Sequence, residues 1–334
     1  MNALIRSCLI LACTVAAPAF AADPPRVNAA NPAGIWTLQD ENASLSTAKL
    51  TDRYYVNGLR LGYTSGTDGV PGFLGGVGRA VWGAGTQRFG FDLGQQLFTP
   101  ANTGAVQPPP GDRPYAGLLL GTFSLLQDVP DSRSTLSLSL GVVGPWALAE
   151  QLQNGFHDVI GQGHTNGWHY QLRNEPAVEV TSARVWRLPT GSLGGLETDA
   201  LPDFAVGLGN VRIYTQVGGV FRIGQGLDSD YGVARVRPGM SGGDAFQPTR
   251  PFAWYVFAGA DGQGVLRDIT LDGNDFRSGP SVKLEPFVAE MEGGVALMAF
   301  GARLTYTHVL QTQEFVHQKG GLHQFGSLAV SVRF

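Results

Sequence analysis

The stretch "HQFGSLAVSVRF", residues 323–334, decides the fold. Leu328, Val330, Val332 and Phe334 fall on one side of an extended chain, and Ser327, Ala329, Ser331 and Arg333 on the other. A period of two belongs to a strand, because successive side chains of an extended backbone point to opposite faces. One face is apolar and the other small or polar, so the two sides meet different surroundings. A soluble sandwich alternates in the same way, and alternation alone does not choose between it and a barrel. Working back from this stretch, similar segments are predicted at 34–42, 55–65, 86–97, 115–127, 133–143, 177–188, 202–210, 213–224, 252–262, 281–291 and 294–308, which with the last makes twelve. An even number suits a closed bacterial barrel, and several segments reach the ~9–11 residues that a tilted strand needs to cross a bilayer. A tight turn at Glu292-Gly293-Gly294 is expected between two of them.

The composition narrows the choice. Charged residues make up 15% of the chain, against about 25% in ordinary soluble domains, and glycine supplies 47 of 334 residues, about twice its usual share. The net charge of -4 offers no electrostatic footprint for nucleic acid. No later stretch holds ~18 consecutive apolar residues, so no spanning helix is expected. At the N-terminus, Arg6, the apolar run 8–18 and the small residues Ala19–Ala21 have the form of a cleaved export signal. The expected division is therefore 1–22 signal peptide and 23–334 barrel. Cys8 and Cys13 leave with the signal, and the exported chain then has no thiol or disulfide.

The fold class read from these features is all-β. It is a twelve-stranded antiparallel transmembrane β-barrel with a short helix in the third surface loop. With both termini on the periplasmic side, the surface loops fall near 43–54, 98–114, 144–176, 211–212, 263–280 and 309–322. The third of these breaks the pattern. Leu148, Leu152, Phe156, Val159 and Ile160 recur at helical spacing, and Glu150, Gln153, Asn154 and His157 form a polar stripe beside them. Gln153 and His157 are i, i+4 neighbours. A helix capping a barrel must bury its apolar stripe on the wall or in lipid, which leaves His157 partly buried, where its basicity is tuned by a defined partner.

Several stretches carry a more specific resemblance. They are "ENASLSTAKLTDRYYVNGLRLGY" (41–63), "GQQLFTP" (94–100), "DRPYAG" (112–117), "GVVGPWALAEQLQNGFHDVIG" (141–161), "GWHYQLRNE" (167–175), "LDGNDF" (271–276) and "TQEFVHQ" (311–317). The chain resembles the lipid A 3′-O-deacylase family of outer-membrane barrels over nearly its whole exported length. The resemblance implies a Gram-negative outer-membrane enzyme, acting as a monomer on lipopolysaccharide in the outer leaflet. It implies Ca²⁺-dependent hydrolysis of the 3′ acyloxyacyl ester at a site between the barrel wall and the surface-loop helix. His157 then stands as general base and Asn42 as the catalytic asparagine. Asn42 and Asp40 are expected metal ligands, with Glu175 a further candidate unless it anchors its loop to the barrel rim. Arg113 is a candidate for a lipid phosphate, and Gln153 for the substrate.

Two positions depart from the family's pattern. Ala43 stands where an aspartate usually follows the asparagine, and Val56 where a threonine usually precedes the "NG" of the second strand. These changes leave open a non-catalytic barrel that is structural or binds lipid. Three other signals carry less. "GMSGG" (239–243) has the serine-hydrolase form around Ser241 but no helix after it. His157, His164 and His169 share no short helical face for zinc, and "DGND" (272–275) is too short for a calcium loop.

Overall fold

Along β13 (His323–Arg333), Phe325, Ser327, Ala329 and Ser331 are buried, while Leu328, Val330 and Val332 are exposed. The small and polar face points inward and the apolar face outward, the reverse of a soluble sandwich. The computed structural model describes residues 31–46, 53–232 and 245–334. The expected export signal and Ser241 lie outside the described residues. Around the wall run β1 (Ile35–Asn42), β2 (Tyr54–Thr64), β3 (Thr86–Thr99), β4 (Ala116–Val129), β5 (Ser132–Val143), β6 (Glu175–Trp186), β7 (Leu188–Leu193), β8 (Leu196–Gly209), β9 (Arg212–Gln225), β10 (Phe252–Asp268), β11 (Phe287–Ala299), β12 (Ala302–Gln311) and β13.

Each strand pairs antiparallel with its neighbour, and β1 pairs with β13. The sheet closes because β8 pairs with both β6 and β7. These two segments are one stave interrupted at Arg187, so thirteen segments make twelve staves. Closure leaves no sheet edge, which is what a wall in hydrocarbon requires. Outward residues such as Leu38, Leu61, Leu93, Phe123, Leu140, Val217 and Leu304 form the lipid-facing surface. Inward ones are polar and bonded to each other, as in Thr37–Ser331, Thr122–Ser139 and Ser124–Ser137, each at 2.8–2.9 Å. Two charge clusters fill the lumen further along: Asp230 with Arg222, Arg303 and Tyr255, and Glu314 with Arg113.

One expected hairpin is misplaced in the sequence reading. β11 runs straight through Glu292-Gly293-Gly294, and the chain reverses at Phe300-Gly301, where both φ angles are positive (54° and 77°). That is the backbone a two-residue hairpin demands. Gly294 serves close approach instead: a Cβ there would lie 2.0 Å from the Tyr306 carbonyl oxygen and 2.6 Å from the Phe257 ring. The stave after the fifth surface connection is accordingly Phe287–Ala299 rather than 281–291, and the next is Ala302–Gln311 rather than 294–308. β8 also starts earlier than expected. A helix, α1 (Gly72–Trp82), occupies the connection from β2 to β3, where strand alternation gives no hint of it. The expected helix in the third surface loop is present as α2 (Ala149–Ile160), and α3 (Ile269–Asp272) is a single turn after β10.

Candidate active site

Helix α2 lies on the outside of the wall. Gly117, on the outward face of β4, makes the seat: a Cβ there would fall 2.6 Å from that of Ala149 and 3.1 Å from that of Ala147. Gln95 Nε2, outward on β3, donates to the Ala147 carbonyl at 2.5 Å. Leu97, Tyr115, Ala149 and Trp168 form a buried cluster beneath the helix, with Leu152 leaning on it. The face turned to the wall is the polar one. Ala149, Gln153 and His157 are its buried residues, with His157 4% exposed. Of the apolar stripe expected on the wall or in lipid, Leu148, Phe156, Val159 and Ile160 are exposed, Val159 by 83%. That stripe has gone to the lipid-facing side, and the polar stripe is sealed between helix and barrel.

The sealed residues are held by specific bonds. Gln153 Oε1 accepts from Trp168 Nε1 at 2.9 Å and from Thr165 Oγ1 at 3.1 Å. This fixes the amide's orientation and leaves Nε2 buried without a hydrogen-bond partner among the described residues. Such an orphaned donor costs about 1–3 kcal/mol, a penalty that a ligand oxygen would relieve. His157 Nδ1 lies 2.8 Å from the Gly163 carbonyl oxygen. A carbonyl only accepts, so Nδ1 is the donor in this bond. Trp168 lies in the "GWHYQLRNE" stretch, but neither it nor Thr165 was expected to orient Gln153. Their signal was only their place eight and eleven residues after His157, the last of the helix's polar stripe.

The first strand supplies a second group on the same outer wall. Asn42, Asn57, Leu97 and Gly117 are register partners across β1 to β4, so one outward row links the end of β1 to the seat of α2. At ~4.8 Å per strand, Asn57 is the immediate neighbour of the wall position that α2 covers. Asn57 Nδ2 donates to Asp40 Oδ1 at 2.6 Å and to the Glu41 carbonyl at 3.2 Å. Asn42 Oδ1 accepts from Ser44 N at 2.8 Å, capping the turn Ala43–Leu45. That turn leans over the next staves: Tyr306 donates to the Leu45 carbonyl, and Gly326 leaves room for it. Ala43 is buried at the start of the turn. Val56 is buried at the bulge where the β2–β3 register shifts.

Two of the residues proposed from the sequence stand elsewhere. Arg113 is fully buried on the lumen side, bonded to Glu314 at 2.5 Å and Thr270 Oγ1 at 2.7 Å and stacked over Phe98. It is committed to closing the lumen, not to a phosphate on the outer wall. Glu175 begins β6, five staves from β1, and is buried while its lipid-facing neighbours are exposed. Its carboxylate accepts from Asp275 N and Phe276 N at 2.8 and 2.9 Å, tying the third surface loop to the fifth. It therefore cannot share an ion with Asn42. Asn274 adds two bonds to Arg173, so "DGND" is a structural strap. His164 pairs with Asp158 on the surface at 2.7 Å, away from the buried His157.

The calcium that the resemblance implies needs about six to eight oxygen ligands. Among the described residues this rim provides Asp40 and Asn42, both already hydrogen-bonded, and no group of three or more His, Cys, Asp or Glu comes together. Those two residues do not make a calcium site.

A closed wall with its apolar face turned out, and a surface-loop helix holding a buried polar stripe against that outer face, define an outer-membrane barrel. The chain belongs to the family of outer membrane protein LpxR, the lipid A 3′-O-deacylase family, whose model matches residues 7–334. The structure of LpxR from Salmonella typhimurium is similar, with a TM-score of 0.74 at 17% identity, covering 90% of this chain and 100% of that one. The translocator domain of the autotransporter NalP from Neisseria meningitidis aligns with a TM-score of 0.39 at 10% identity, over 100% of this chain and 96% of that one. No curated protein matches the sequence. The family and the fold make this a lipid A deacylase-like protein of the Gram-negative outer membrane.

Proposed function

We propose that this chain hydrolyses the 3′ acyloxyacyl ester of lipid A, with His157 as general base. The observation that supports the proposal is the burial of His157 between α2 and the outer wall beside Gln153, with its ring oriented by the bond from Nδ1 to the Gly163 carbonyl. Nε2 takes a proton from water as the water oxygen attacks the ester carbonyl carbon. Negative charge gathers on the carbonyl oxygen, and the buried Gln153 Nε2, one helical turn from His157, is the donor that meets it. Collapse expels the sugar 3′ oxygen, which takes the proton back from His157, and the fatty acid leaves. Asn42, with Asp40 and Asn57, forms the far side of the cleft and orients the sugar. The exposed apolar edge of α2, Phe156, Val159 and Ile160, borders the acyl chains.

A second reading has its own observation. Ala43 and Val56 are buried apolar residues at the two positions where the family resemblance calls for a carboxylate and a hydroxyl. A barrel that keeps the cleft without turnover would look like this. Mass spectrometry of lipid A from cells expressing the chain decides between the two. Loss of the 3′ acyloxyacyl mass in the wild type, and its retention with His157→Ala, is the expected result. Unchanged lipid A with the folded wild-type protein overturns the hydrolase.

A further inference from the structure

Helix α1 has no part in that cleft. It sits at the opposite end of the barrel from α2, on the outside of the same two staves. Gly75 and Gly78 are its buried residues: a Cβ on Gly78 would lie 2.4 Å from Gln87 Nε2 and 3.3 Å from a Leu125 methyl. Gln87 bonds Gln127 on the neighbouring stave, and Gly85 packs over the same Gln127. Leu125 is two residues beyond Phe123, which is lipid-exposed and stacked with Phe91 at 5.0 Å. The helix therefore begins where the lipid-facing band ends. Rings mark the same level on the neighbouring staves, with Tyr63 5.2 Å from Trp36, 6.0 Å from Phe89 and 6.3 Å from Phe334. Amphipathic rings gather at the membrane–water boundary.

The remaining sides of α1 divide in a way that suits that boundary. At about 100° per residue, the small residues Gly75 and Gly78 define the side against the wall. Leu74, Val77 and Val81 fall on one flank, Gly72, Gly76 and Arg79 on the other, and Phe73 opposite the wall. Phe73, Val77 and Val81 are exposed by 74%, 43% and 58%. A helix with one apolar flank and one flank of glycine and arginine, fixed at the edge of an apolar band, has lipid on the first and water on the second.

We propose that α1 is an interfacial helix that seats the barrel in phospholipid of the periplasmic leaflet, with Phe73, Val77 and Val81 among the acyl chains and Arg79 at the phosphates. It binds lipid on its own account, at the far end of the barrel from the surface-leaflet cleft. The occupant is lipid rather than protein because the stripe is continuous with the lipid-facing wall beside it.

The test uses the full chain with Cys8→Ser and Cys13→Ser, carrying either Val77→Cys or Gly76→Cys. Both positions are at the surface, and a side chain at Gly76 meets nothing within 4 Å. Each thiol is labelled with an environment-sensitive dye and the barrel is folded into vesicles of phosphatidylethanolamine and phosphatidylglycerol. A heat-dependent gel shift confirms folding. The label at Val77 is expected to be quenched several-fold more by doxyl-labelled lipid than by iodide, and the label at Gly76 the reverse. Equal iodide quenching at both overturns the proposal. So does a Val77 label shielded from both quenchers that crosslinks between copies, because the occupant is then a second barrel.

Discussion

At the scale of single residues, the site depends on which atom of each side chain is already in use. His157 has Nδ1 held by Gly163, and Gln153 has Oε1 held by Trp168 and Thr165, which leaves the buried Gln153 Nε2 without a partner among the described residues. His157→Ala is expected to lower deacylation ~10²–10⁴-fold, the usual effect of removing a positioned base, with the barrel still folded because the helix is seated by Ala149 and Gly117. Release of the acyl acid by purified protein, followed against the heat-shifted band, checks both halves. Ala43→Asp is expected to raise calcium affinity, since it adds a charged oxygen beside Asn42 where the present residues do not make a site; titration with calcium measures it. That His157 and Gln153 share one face of α2, and Asp40 and Asn42 one face of β1, was legible from helical spacing and period two. Arg113 misled because the sequence shows charge but not facing, whereas Glu175 anchors its loop, the alternative to a metal ligand that its position already offered. "DRPYAG" reads as a rim, yet Arg113 turns inward to a glutamate two hundred and one residues away.

The next scale is the element, where the sequence tells the strands from the loops better than it tells one face from another. Strand segments were legible by alternation, and α2 by its 3.6-residue stripe. The side on which α2 rests was not. Hydrophobicity puts Phe156 and Val159 on the wall, but a wall that itself faces lipid offers no water to escape, so the apolar stripe goes outward and the polar stripe inward. Helix α1 escaped notice because "GFLGGVGRAVW" carries four glycines, each of which lowers helix propensity by about 1 kcal/mol relative to alanine. Tertiary packing overrides this, since two of those glycines are what let the helix touch the wall. The hairpin at Phe300-Gly301 was missed for the opposite reason: a Gly-Gly pair nearby looked like a better turn. If close seating of α2 is what builds the cleft, Gly117→Val should displace it, because the new Cβ meets Ala149 at 2.6 Å. The expected outcome is loss of deacylation with an unchanged heat shift. Faster proteolysis within 144–174 than in the wild type is the direct check, and full activity would mean that the cleft does not need the seat.

For the whole molecule, the inversion of faces leaves the lumen to hold what a soluble protein would put on its surface, and that sets how the barrel responds to acid. Asp230, just past β9, accepts from Arg222 at 2.5 Å, Arg303 at 3.0 Å and Tyr255 at 2.9 Å with no exposure to solvent. Burial alone would raise its pKa, but the two guanidiniums outweigh it and hold the carboxyl below the usual range. Glu314, in the last surface loop, behaves alike: burial is outweighed by Arg113 and Arg212, and its pKa is lowered. A carboxylate whose folded pKa lies below its unfolded value of about 4 contributes stability that is whole above that value and is lost as pH falls through the folded one. These clusters sit toward opposite ends of the lumen and bridge staves far apart in sequence, so their loss loosens the wall as a unit rather than fraying one loop. The gel-shift temperature of the detergent-folded barrel is therefore expected to fall steeply below about pH 4. Asp230→Asn should start from a lower plateau, since breaking a buried ion pair costs about 3–5 kcal/mol, and should lose less on acidification. A wild-type curve that stays flat to pH 2, or an Asp230→Asn curve parallel to it, would show that the barrel is held by its backbone ladder alone and that the charges inside it are passengers.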